Sequence, residues 1–445
     1  MTQQEFANLI KGLASQAGVD QYELYGQSGT STEVSVFDGK QDHFSFDGDG
    51  GIGLRVIQGG HCGYASTQYL SKESARWLFD TAIQNAAISE NNQIDPICPD
   101  VAKVDQVSPS PAASVTALTD QLLGAYHTAM QQDSRIKQIA DCEAAQIYQT
   151  RFIATPNGMC ADSIALAEGI VGPVAQQDGQ AYNEYEIDYA ADTDSLNLQN
   201  TAKRAVDKTL SFIGSTPVPS GSYSVLFNSE TARSLLACFC PVFSGLAAMR
   251  KLSLLGDKLG QQIAFSGLNI IDAPTAPGSL LVRPFDDAGY PTYQKYVVQN
   301  GVLKTLLHNQ RTANAMQQQN TANAGRGSYT SSIGVSPNNL YIQPGQYTTQ
   351  QLMEQYQSLL YITGTKGLHA GANAATGDFS LECKGYLVQQ GSIVRPVSGI
   401  TMAGNFYTLL QNITHIGNTL QFSPPGSSCI GSPELLVSSL SIAGQ

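Results

Sequence analysis

The sequence carries little charge. Asp, Glu, Lys and Arg together make up 13% of its 445 residues, and 36 acidic residues against 24 basic ones leave a formal net charge of −12. No cluster of Lys and Arg interrupts this acidic background. Because affinity for nucleic acids depends on neutralising phosphates with basic side chains, the composition argues against a nucleic-acid-binding protein.

Long hydrophobic runs are missing as well. The longest apolar stretch, residues 235–249, is interrupted by Pro241 and is too short to span a bilayer. The N-terminus lacks the basic region and apolar core of a signal peptide. Eight cysteines are scattered along the chain, a pattern that favours reduced thiols over a disulfide framework at this length. We therefore expect a soluble, cytoplasmic protein without membrane contact.

Histidines are few and far apart. No two of the six lie closer than 18 residues, and no His-x-x-His, His-x-x-x-His or His-Glu pattern occurs: His43, His61, His127, His308, His369 and His415. Two histidines on one helix face are a common start of a zinc peptidase site. The sequence therefore carries no local motif of that kind.

The first 213 residues instead contain alternating strand-like and helical runs. Helical spacing of apolar residues predicts helices over residues 2–17, 71–87, 115–130 and 198–213. On the second of these helices, the spacing places Trp77, Leu78, Thr81 and Ala82 on the inner face. Strand candidates are residues 21–26, 33–37, 42–46, 51–57, 62–67, two runs within 135–154, then 159–166 and 180–188. Asp38-Gly39 and Asn157-Gly158 predict hairpin turns.

Residues 216–221 (TPVPSG) form the clearest linker, because two prolines and a glycine suit a stiff surface connection. We therefore expect an N-terminal domain over residues 1–215 and a C-terminal domain over residues 222–445. In the second, Ser229 as N-cap predicts a helix over residues 230–239. Strands are expected at 223–227, 269–271, 293–298, 302–307, 339–342, 359–363 and in the tail, 432–442.

The predicted fold class is α+β with two domains. The first domain has an antiparallel or mixed sheet with helices on one face, and no regular βαβ alternation. The second is rich in strands and forms a barrel-like or strongly curved sheet.

Residues 367–418 are the most distinctive stretch. Alternating runs at 385–388 and 392–397 flank Gln390-Gly391 and predict a β-hairpin. Residues 405–416 follow with helical spacing of Phe406, Leu409, Leu410 and Ile413.

Three phrases of this stretch resemble the C-terminal signature of the TldD/PmbA family, also called the modulator-of-gyrase family: residues 373–380 (NAATGDFS), 396–405 (PVSGITMAGN) and 412–418 (NITHIGN). Other parts of the family are similar to residues 49–57 (DGGIGLRVI), 283–289 (RPFDDAG) and 300–304 (NGVLK). The resemblance covers nearly the whole chain. Members of this family are implicated in peptide proteolysis, which is the activity that the resemblance implies.

The TldD branch of this family carries a zinc-binding His-Glu-x-x-x-His helix, with a third ligand from a Cys near the C-terminus. Matched to that helix, this sequence has Ala237 and Val242 in place of the two His and Cys238 in place of the Glu. The resemblance thus implies the PmbA (TldE) branch, which lacks the zinc helix and pairs with a TldD-type subunit. It implies no cofactor in this chain and zinc in that partner.

Cysteine offers two weaker hypotheses. Cys429 lies near the third-ligand region of the family and could form a three-thiolate site with Cys238 and Cys240. A structural role is favoured, because cysteine is among the most buried residue types and Cys-x-Cys on a helix splays the two thiols apart. Alternatively, Cys383 or Thr376 would serve as the nucleophile of an autonomous hydrolase.

Other candidates have structural interpretations. Residues 48–53 are rich in glycine but lack the Lys-Ser/Thr of a P-loop, and we place them between strands. Asp286 and Asp287 are expected to be solvated on a turn. His369 is expected on the surface or in a cleft wall. An Asx-type turn would hold the loop at 376–380, while the functional alternative is a peptide-accepting cleft lined by Asn373, Thr376, Gly377, Asp378 and Ser380.

Together these observations predict a non-catalytic PmbA/TldE-like subunit of a metalloprotease complex that processes or degrades unfolded peptides. The alternatives are a homodimeric peptide-binding or scaffold protein without proteolysis, and the autonomous hydrolase. With a TldD-type subunit or with itself, the chain is expected to form a dimer that buries more than about 2,000 Å². The glycine-rich run at 367–377 would let an extended peptide add to the second domain as a strand.

Overall fold

The computed structural model describes residues 1–89 and 94–445, with 25% of the chain in helices and 41% in strands. Contacts divide it into two compact units. The first comprises Met1–Ile213 together with two short segments from later in the sequence, Asp287–Tyr290 and Gly327–Ser332, and the second comprises the remaining residues from Gly214 onward. Residues 216–221, expected as the linker, lie at the start of the second unit.

The first unit is built on a curled, largely antiparallel half-barrel sheet. Its strands are β1 (Tyr22–Phe37), β2 (Lys40–Gln58), β3 (His61–Thr67), β4 (Asp105–Gln106), β5 (Ile136–Thr155), β6 (Gly158–Gln177), β7 (Gln180–Asn183) and β8 (Glu186–Ala190). The sheet order is β3-β2-β1-β5-β6-β4, with β7 and β8 also paired to β6. Its helices are α1 (Gln3–Ala17), α2 (Lys72–Ile88), α3 (Val115–Gln132) and α4 (Leu198–Ser211).

These helices cover one face of the sheet, as predicted. Leu24 and Val34 lie ten residues apart on β1 and therefore point to the same face. Leu24 belongs to a buried cluster with Phe6 of α1 and Leu78 of α2. Val34 belongs to a second buried cluster with Leu122 of α3, which α4 also joins.

Several predicted short strands are parts of long ones. The predicted breaks near Gly26 and Gly48 do not exist, because β1 pairs with β2 without interruption from Tyr22 to Ser35. The glycine-rich segment 48–53 is therefore strand and not a loop. A side chain at Gly50 would place its Cβ 2.8 Å from the Cβ of Ser28, so glycine permits the close approach of β1 and β2 here.

Two details of the first unit differ from the prediction. Trp77 is 55% exposed, because the buried stripe of α2 runs through Ala75, Leu78, Phe79 and Ala82. The single strand expected over 180–188 is divided into β7 and β8. The hairpin turn at Asp38-Gly39 is confirmed. A hairpin also joins β5 to β6, but its turn residues are Pro156 and Asn157, because Gly158 pairs with Thr155.

The second unit contains a closed barrel of five strands. Its strands are β9 (Gly221–Phe227), β10 (Ile270–Ala273), β11 (Lys295–Gln299), β12 (Val302–Leu303), β13 (Ala324–Gly325), β14 (Gly334–Val335), β15 (Asn339–Ile342), β16 (Ser358–Lys366), β17 (Asp378–Gln389), β18 (Ser392–Asn405), β19 (Ile413–Ile416), β20 (Gln421–Phe422), β21 (Cys429–Ser432) and β22 (Leu435–Ala443). Its helices are α5 (Ser229–Phe239), α6 (Gly245–Met249), α7 (Gln310–Met316), α8 (Thr349–Met353), α9 (Leu368–Gly371) and α10 (Phe406–Asn412).

The barrel runs β18-β17-β16-β9-β22 and closes through pairing of β22 with β18. The predicted hairpin at Gln390-Gly391 joins β17 to β18, and both residues adopt positive φ. Aromatic rings fill the adjoining core: Phe239 of α5 stacks on Phe406 of α10, with centroids 4.6 Å apart. This stack packs α5 against α10.

Three predicted elements of the second unit needed correction. The helix expected over 405–416 ends at Asn412, because residues 413–416 form β19 and Ile413 pairs with Val437 of β22. The N-cap of α5 is Asn228 rather than Ser229, since the Asn228 side chain accepts a hydrogen bond from Thr231 N at 2.8 Å. The strand expected over 302–307 is limited to β12.

Within residues 1–89 and 94–445, none of the helices has the combined length and apolar character needed to cross a bilayer.

Candidate functional site

Both regions singled out in the sequence, the loop at 373–380 and the segment after α5, border one pocket of the second unit. The pocket has a volume of about 820 Å³. One wall comes from the chain between α5 and the segment after α6, and the other from α9, the loop after it and the start of β17. The lining residues are Pro241, Ala247, Leu252, Ala370, Gly371, Ala372, Asn373, Ala374, Ala375, Asp378, Phe379 and Ser380.

The loop of residues 373–378 is held by an Asx turn, as the structural interpretation predicted. The Asn373 side-chain oxygen accepts hydrogen bonds from the backbone N–H groups of Ala375 (3.0 Å) and Thr376 (3.3 Å). Thr376 Oγ1 accepts a bond from Asp378 N at 3.3 Å. The backbone closes the loop, because Asn373 N donates to Asp378 O at 2.8 Å.

Helix α10 fixes this loop in place. Asn405 Nδ2 donates to Thr376 O (2.9 Å) and to Asp378 Oδ1 (2.8 Å), while its side-chain oxygen caps α10 by accepting from the N–H of Tyr407 and Thr408. The bonds from Asn405 and Thr376 lower the pKa of Asp378 below its usual range. Asp378 therefore presents an ionised, solvent-exposed carboxylate at the edge of the pocket.

The structure separates the five predicted cleft residues into two groups. Asn373, Asp378 and Ser380 line the pocket, whereas Thr376 and Gly377 shape the loop behind it. Gly377 has a φ of +83°, and a Cβ there would lie 2.6 Å from the Tyr407 ring. Substituting Gly377 would consequently disturb the loop itself.

Two of the three glycines of the 367–377 run, Gly371 and Gly377, make close contacts within the chain. A Cβ at Gly371 would collide with the backbone oxygen of Ser380. Near that point β17 pairs with β18 on one side, and Phe379 bridges to Ala372 on the other. The geometry at Phe379 thus gives no support to strand addition there.

The segment matched to the family's zinc helix does not fit a metal ion. Ala237 is exposed at the last turn of α5, and Val242 is fully buried in the core. Cys238 is half-buried, with its Sγ 3.9 Å from Leu368 O. Hydrocarbon side chains supply no ligand atoms, so Cys238 alone of the three matched positions offers one.

The cysteines do not compensate for this loss. Cys429 is buried and its Sγ lies 3.0 Å from Ser423 O. Burial and the neighbouring Cys238 raise the pKa of Cys240 to about 12. In the described part of the chain, no group of three or more His, Cys, Asp or Glu side chains is arranged to hold a metal ion.

The two candidate nucleophiles are also poorly placed. Burial raises the pKa of Cys383 to about 12, which keeps its thiol protonated at neutral pH. Thr376 Oγ1 is part of the Asx-turn loop. His369 lies on α9 and is not a lining residue of the pocket.

The expectation that Asp286 and Asp287 are solvated was wrong. Both are almost completely buried. Asp287 belongs to the first unit, where it forms an ion pair of 2.6 Å with Arg151, which also pairs with Asp162. Asp286 belongs to the second unit and accepts a hydrogen bond from Ala324 N at 3.0 Å. The sequence around Asp286 and Asp287 contains no feature that indicates burial of both carboxylates.

Sequence reasoning missed one wall of the pocket. Pro241, Ala247 and Leu252 are apolar or small and follow α5 without any chemical motif. The signal that could have indicated them is their position directly after the helix that matches the family's metal site.

Comparisons with known proteins show which family the chain resembles along its length. The profile of the PmbA/TldA metallopeptidase C-terminal domain matches residues 220–444, and that of PmbA/TldA metallopeptidase domain 1 matches residues 22–86. The metalloprotease PmbA of Escherichia coli O157:H7 is 26% identical over 434 residues, covering 94% of this chain and 90% of that protein. A metalloprotease TldD homolog of Buchnera aphidicola subsp. Schizaphis graminum is 22% identical over 452 residues, covering 96% and 93%.

Solved structures show the same architecture. The crystal structure of a candidate modulator of a DNA gyrase from Thermotoga maritima MSB8 superposes with a TM-score of 0.88 at 28% identity, covering 99% of this chain and 100% of that one. TldE from Thermococcus kodakarensis superposes with a TM-score of 0.87 at 20% identity, covering 98% and 100%, a likeness of fold alone.

Proposed function

Because the chain belongs to the PmbA/TldD metallopeptidase family, we propose that it is a non-catalytic subunit that works beside a zinc-bearing homologue of the TldD type. The homologue supplies the metal and the catalytic groups, and the complex hydrolyses unfolded peptides. The present chain contributes a peptide-holding surface and no metal of its own.

The single observation that carries this proposal is the chemistry at the end of α5. The family's two metal-binding histidines correspond to Ala237 and Val242, and Val242 is fully buried in the core. A metal site could be restored only by rebuilding the junction between α5 and the turn at Cys240–Phe243. The fold around this junction is retained, so the loss concerns the ligands and leaves the pocket in place.

The pocket supports a role in holding peptide. Its lining is mainly apolar or small, with the carboxylate of Asp378, the amide of Asn373 and the hydroxyl of Ser380 as polar groups. Apolar walls with a few fixed polar groups are typical of ligand sites. Since Asp378 is ionised at neutral pH, the pocket favours peptide segments that carry a donor or a positive charge.

The proposal predicts that the isolated chain contains substoichiometric zinc and has no chelator-sensitive peptidase activity. The zinc content of the purified protein is measured by mass spectrometry. Peptidase activity is measured on an unfolded protein substrate for this chain, for a zinc-bearing homologue from the same organism, and for the two combined. Hydrolysis is expected only when the homologue is present, with a higher rate in the combination.

Cysteine variants provide the control. One equivalent of zinc per isolated chain, together with peptidase activity that Cys429→Ser abolishes and Cys98→Ser preserves, would overturn the proposal. Cys98 is a suitable match because it is also fully buried but lies in the first unit.

A further inference from the structure

Three polar side chains of the pocket loop point toward the same space. Ala372 and Phe379 form an isolated antiparallel bridge, which places Asn373 opposite Asp378. Phe379 is buried in the core, and because side chains alternate along a strand, Asp378 and Ser380 point away from the core and line the pocket. Directly opposite residues of an antiparallel pair have Cβ atoms about 4.5–5.5 Å apart. Asn373, Asp378 and Ser380 therefore form one cluster, termed the polar corner below.

The polar corner offers an anionic acceptor beside hydrogen-bond donors. Hydrogen bonds from Asn405 and Thr376, rather than a basic side chain, lower the pKa of Asp378, so its negative charge is available to a ligand. The Asn373 side-chain oxygen is occupied by the Asx turn, which leaves the N–H groups of its amide. Ser380 is exposed, and its hydroxyl forms no hydrogen bond within the described part of the chain. A matching ligand carries a cation close to a carbonyl oxygen.

The amino terminus of a peptide has this arrangement. Its α-ammonium group is protonated at neutral pH, and the carbonyl group of the same residue follows immediately in the chain. A lysine side chain instead carries its ammonium group at the end of a flexible stem, away from the backbone. An internal backbone segment supplies carbonyl groups and no cation. Capture of an N-terminal amine is a recurring mode of peptide recognition.

The opposite wall of the pocket suits an apolar side chain. Pro241, Ala247 and Leu252 line this wall and contribute no polar side-chain group. Leu252 is 52% exposed, so contact with an apolar ligand group would remove hydrocarbon surface from water. A peptide whose ammonium group lies at the polar corner could place its first side chain against this wall.

We propose that the pocket binds the amino terminus of a peptide whose first residue is apolar. Asp378 accepts hydrogen bonds from the α-ammonium group, and Asn373 and Ser380 donate to the first carbonyl oxygen. Leu252 covers the first side chain. The inference rests on the peptide-holding role proposed above, and it adds which end of the peptide is held. Asp378 and Leu252 are then the residues that determine specificity.

Three peptides of equal length distinguish the terminus from other cations. The first begins with a free leucine, the second is its N-acetylated form, and the third is N-acetylated and contains one internal lysine. Each carries fluorescein at its C-terminus, and fluorescence anisotropy with the full chain gives the Kd. We expect acetylation to raise the Kd about tenfold, because a hydrogen-bonded charge is lost. The internal lysine should not restore binding.

Asp378→Asn tests the carboxylate while keeping the loop. The asparagine side chain retains an oxygen that can accept the hydrogen bond from Asn405 Nδ2, which is 2.8 Å long in the wild type. This variant should bind the free and the acetylated peptide with the same Kd. Glu382→Gln is the matched control, because Glu382 is an exposed carboxylate of the same strand that does not line the pocket. It should keep the wild-type difference between the two peptides.

Leu252→Ala tests the apolar wall. Replacing the first leucine of the free peptide by glycine should raise the Kd for the wild type about fivefold, because less hydrocarbon surface is buried. Leu252→Ala should reduce this difference. Leu254→Ala is the matched control, since Leu254 is 58% exposed but does not line the pocket. Both leucines are on the surface, so far-UV circular dichroism should remain that of the wild type.

Equal binding of the free and acetylated peptides by the wild type would overturn the inference and leave a peptide-holding role intact. Recovery of binding through the internal lysine would overturn it as well, because the site would then recognise basic side chains. If Glu382→Gln loses the discrimination as Asp378→Asn does, overall charge and not the pocket is responsible. If none of the peptides binds, the peptide-holding role fails together with the inference. Zinc content and hydrolysis by the combined chains then still test the subunit role separately.

Discussion

The sheet of the first unit ends in an open strand, whereas the second unit closes its five main strands into a barrel. In the barrel each strand has neighbours on both sides, and large aromatic residues such as Phe227, Phe239 and Phe243 are fully buried. In the half-barrel, the three phenylalanines nearest the turn of the β1–β2 hairpin, Phe37, Phe44 and Phe46, remain exposed. The comparison indicates that the barrel supports a pocket through its loops, whereas the half-barrel leaves the end of one hairpin exposed to solvent.

The largest expected difference between the two units comes from replacing one phenylalanine in each unit by alanine. Phe239→Ala removes a ring stacked on Phe406, and we expect the free energy of unfolding to fall by about 3–5 kcal/mol. Phe46→Ala, near the turn of the β1–β2 hairpin, should change it by less than about 0.5 kcal/mol because this side chain is exposed. Denaturant titration at low protein concentration measures both. Equal losses would mean that the hairpin is part of a folded core.

The second test uses pH. Burial lowers the pKa of His308 to about 4, so its imidazole stays neutral in the folded second unit. The same group in the unfolded chain takes up a proton near pH 6.5. Stability should therefore fall as the pH drops from about 6.5 to about 4 and then level off for this group, a loss of about 3 kcal/mol.

His308→Gln isolates this contribution. The difference between the stability curves of wild type and variant should show the decline between pH 6.5 and 4. The matched control is His127→Gln, an exposed histidine on α3 of the first unit. If both variants reduce the pH dependence of the free energy of unfolding equally, this dependence does not come from His308.

The smallest expected effect concerns the pocket loop. Gly367 and Gly377 have nearly the same positive φ, +82° and +83°. A Cβ at Gly367 meets nothing within 4 Å, whereas one at Gly377 lies against the ring of Tyr407. We expect Gly367→Ala to lower the free energy of unfolding by about 1 kcal/mol and Gly377→Ala by about 2 kcal/mol.

The difference between the two glycine variants measures how firmly α10 holds the loop. Thermal unfolding of both is the simplest readout. Equal losses in the free energy of unfolding would indicate that the Tyr407 side chain can move to accommodate a Cβ at position 377.

Local chemistry explains which parts of the fold were predictable. Asp38-Gly39 and Gln390-Gly391 were correctly identified as hairpin turns, because positive φ at adjacent positions restricts the residue types. Glycine was misleading at residues 48–53, where it permits the close approach of two strands within a sheet. A sequence does not distinguish these two uses of glycine, since the difference lies in the neighbouring strand.

Long-range packing explains the remaining errors. Ile413 and Ile416 continue the helical spacing of α10 but belong to β19, because β22 pairs with them. Asp286 and Asp287 are buried by residues more than 30 positions away. Of the candidate site, the loop residues Asn373, Asp378 and Ser380 were found through their unusual sequence, whereas the apolar wall at Pro241 carried no chemical signal.

The two segments that join the first unit from later in the sequence also affect the order of events during synthesis. Arg151 pairs with Asp162, which is close in sequence, and with Asp287, which is synthesised 136 residues later. The first unit contains its last segment only after Ser332, roughly three quarters of the chain, has left the ribosome. A nascent chain that stops at residue 213 would thus lack the Asp287 carboxylate that pairs with Arg151. The first unit can therefore be completed only after much of the second unit has been synthesised.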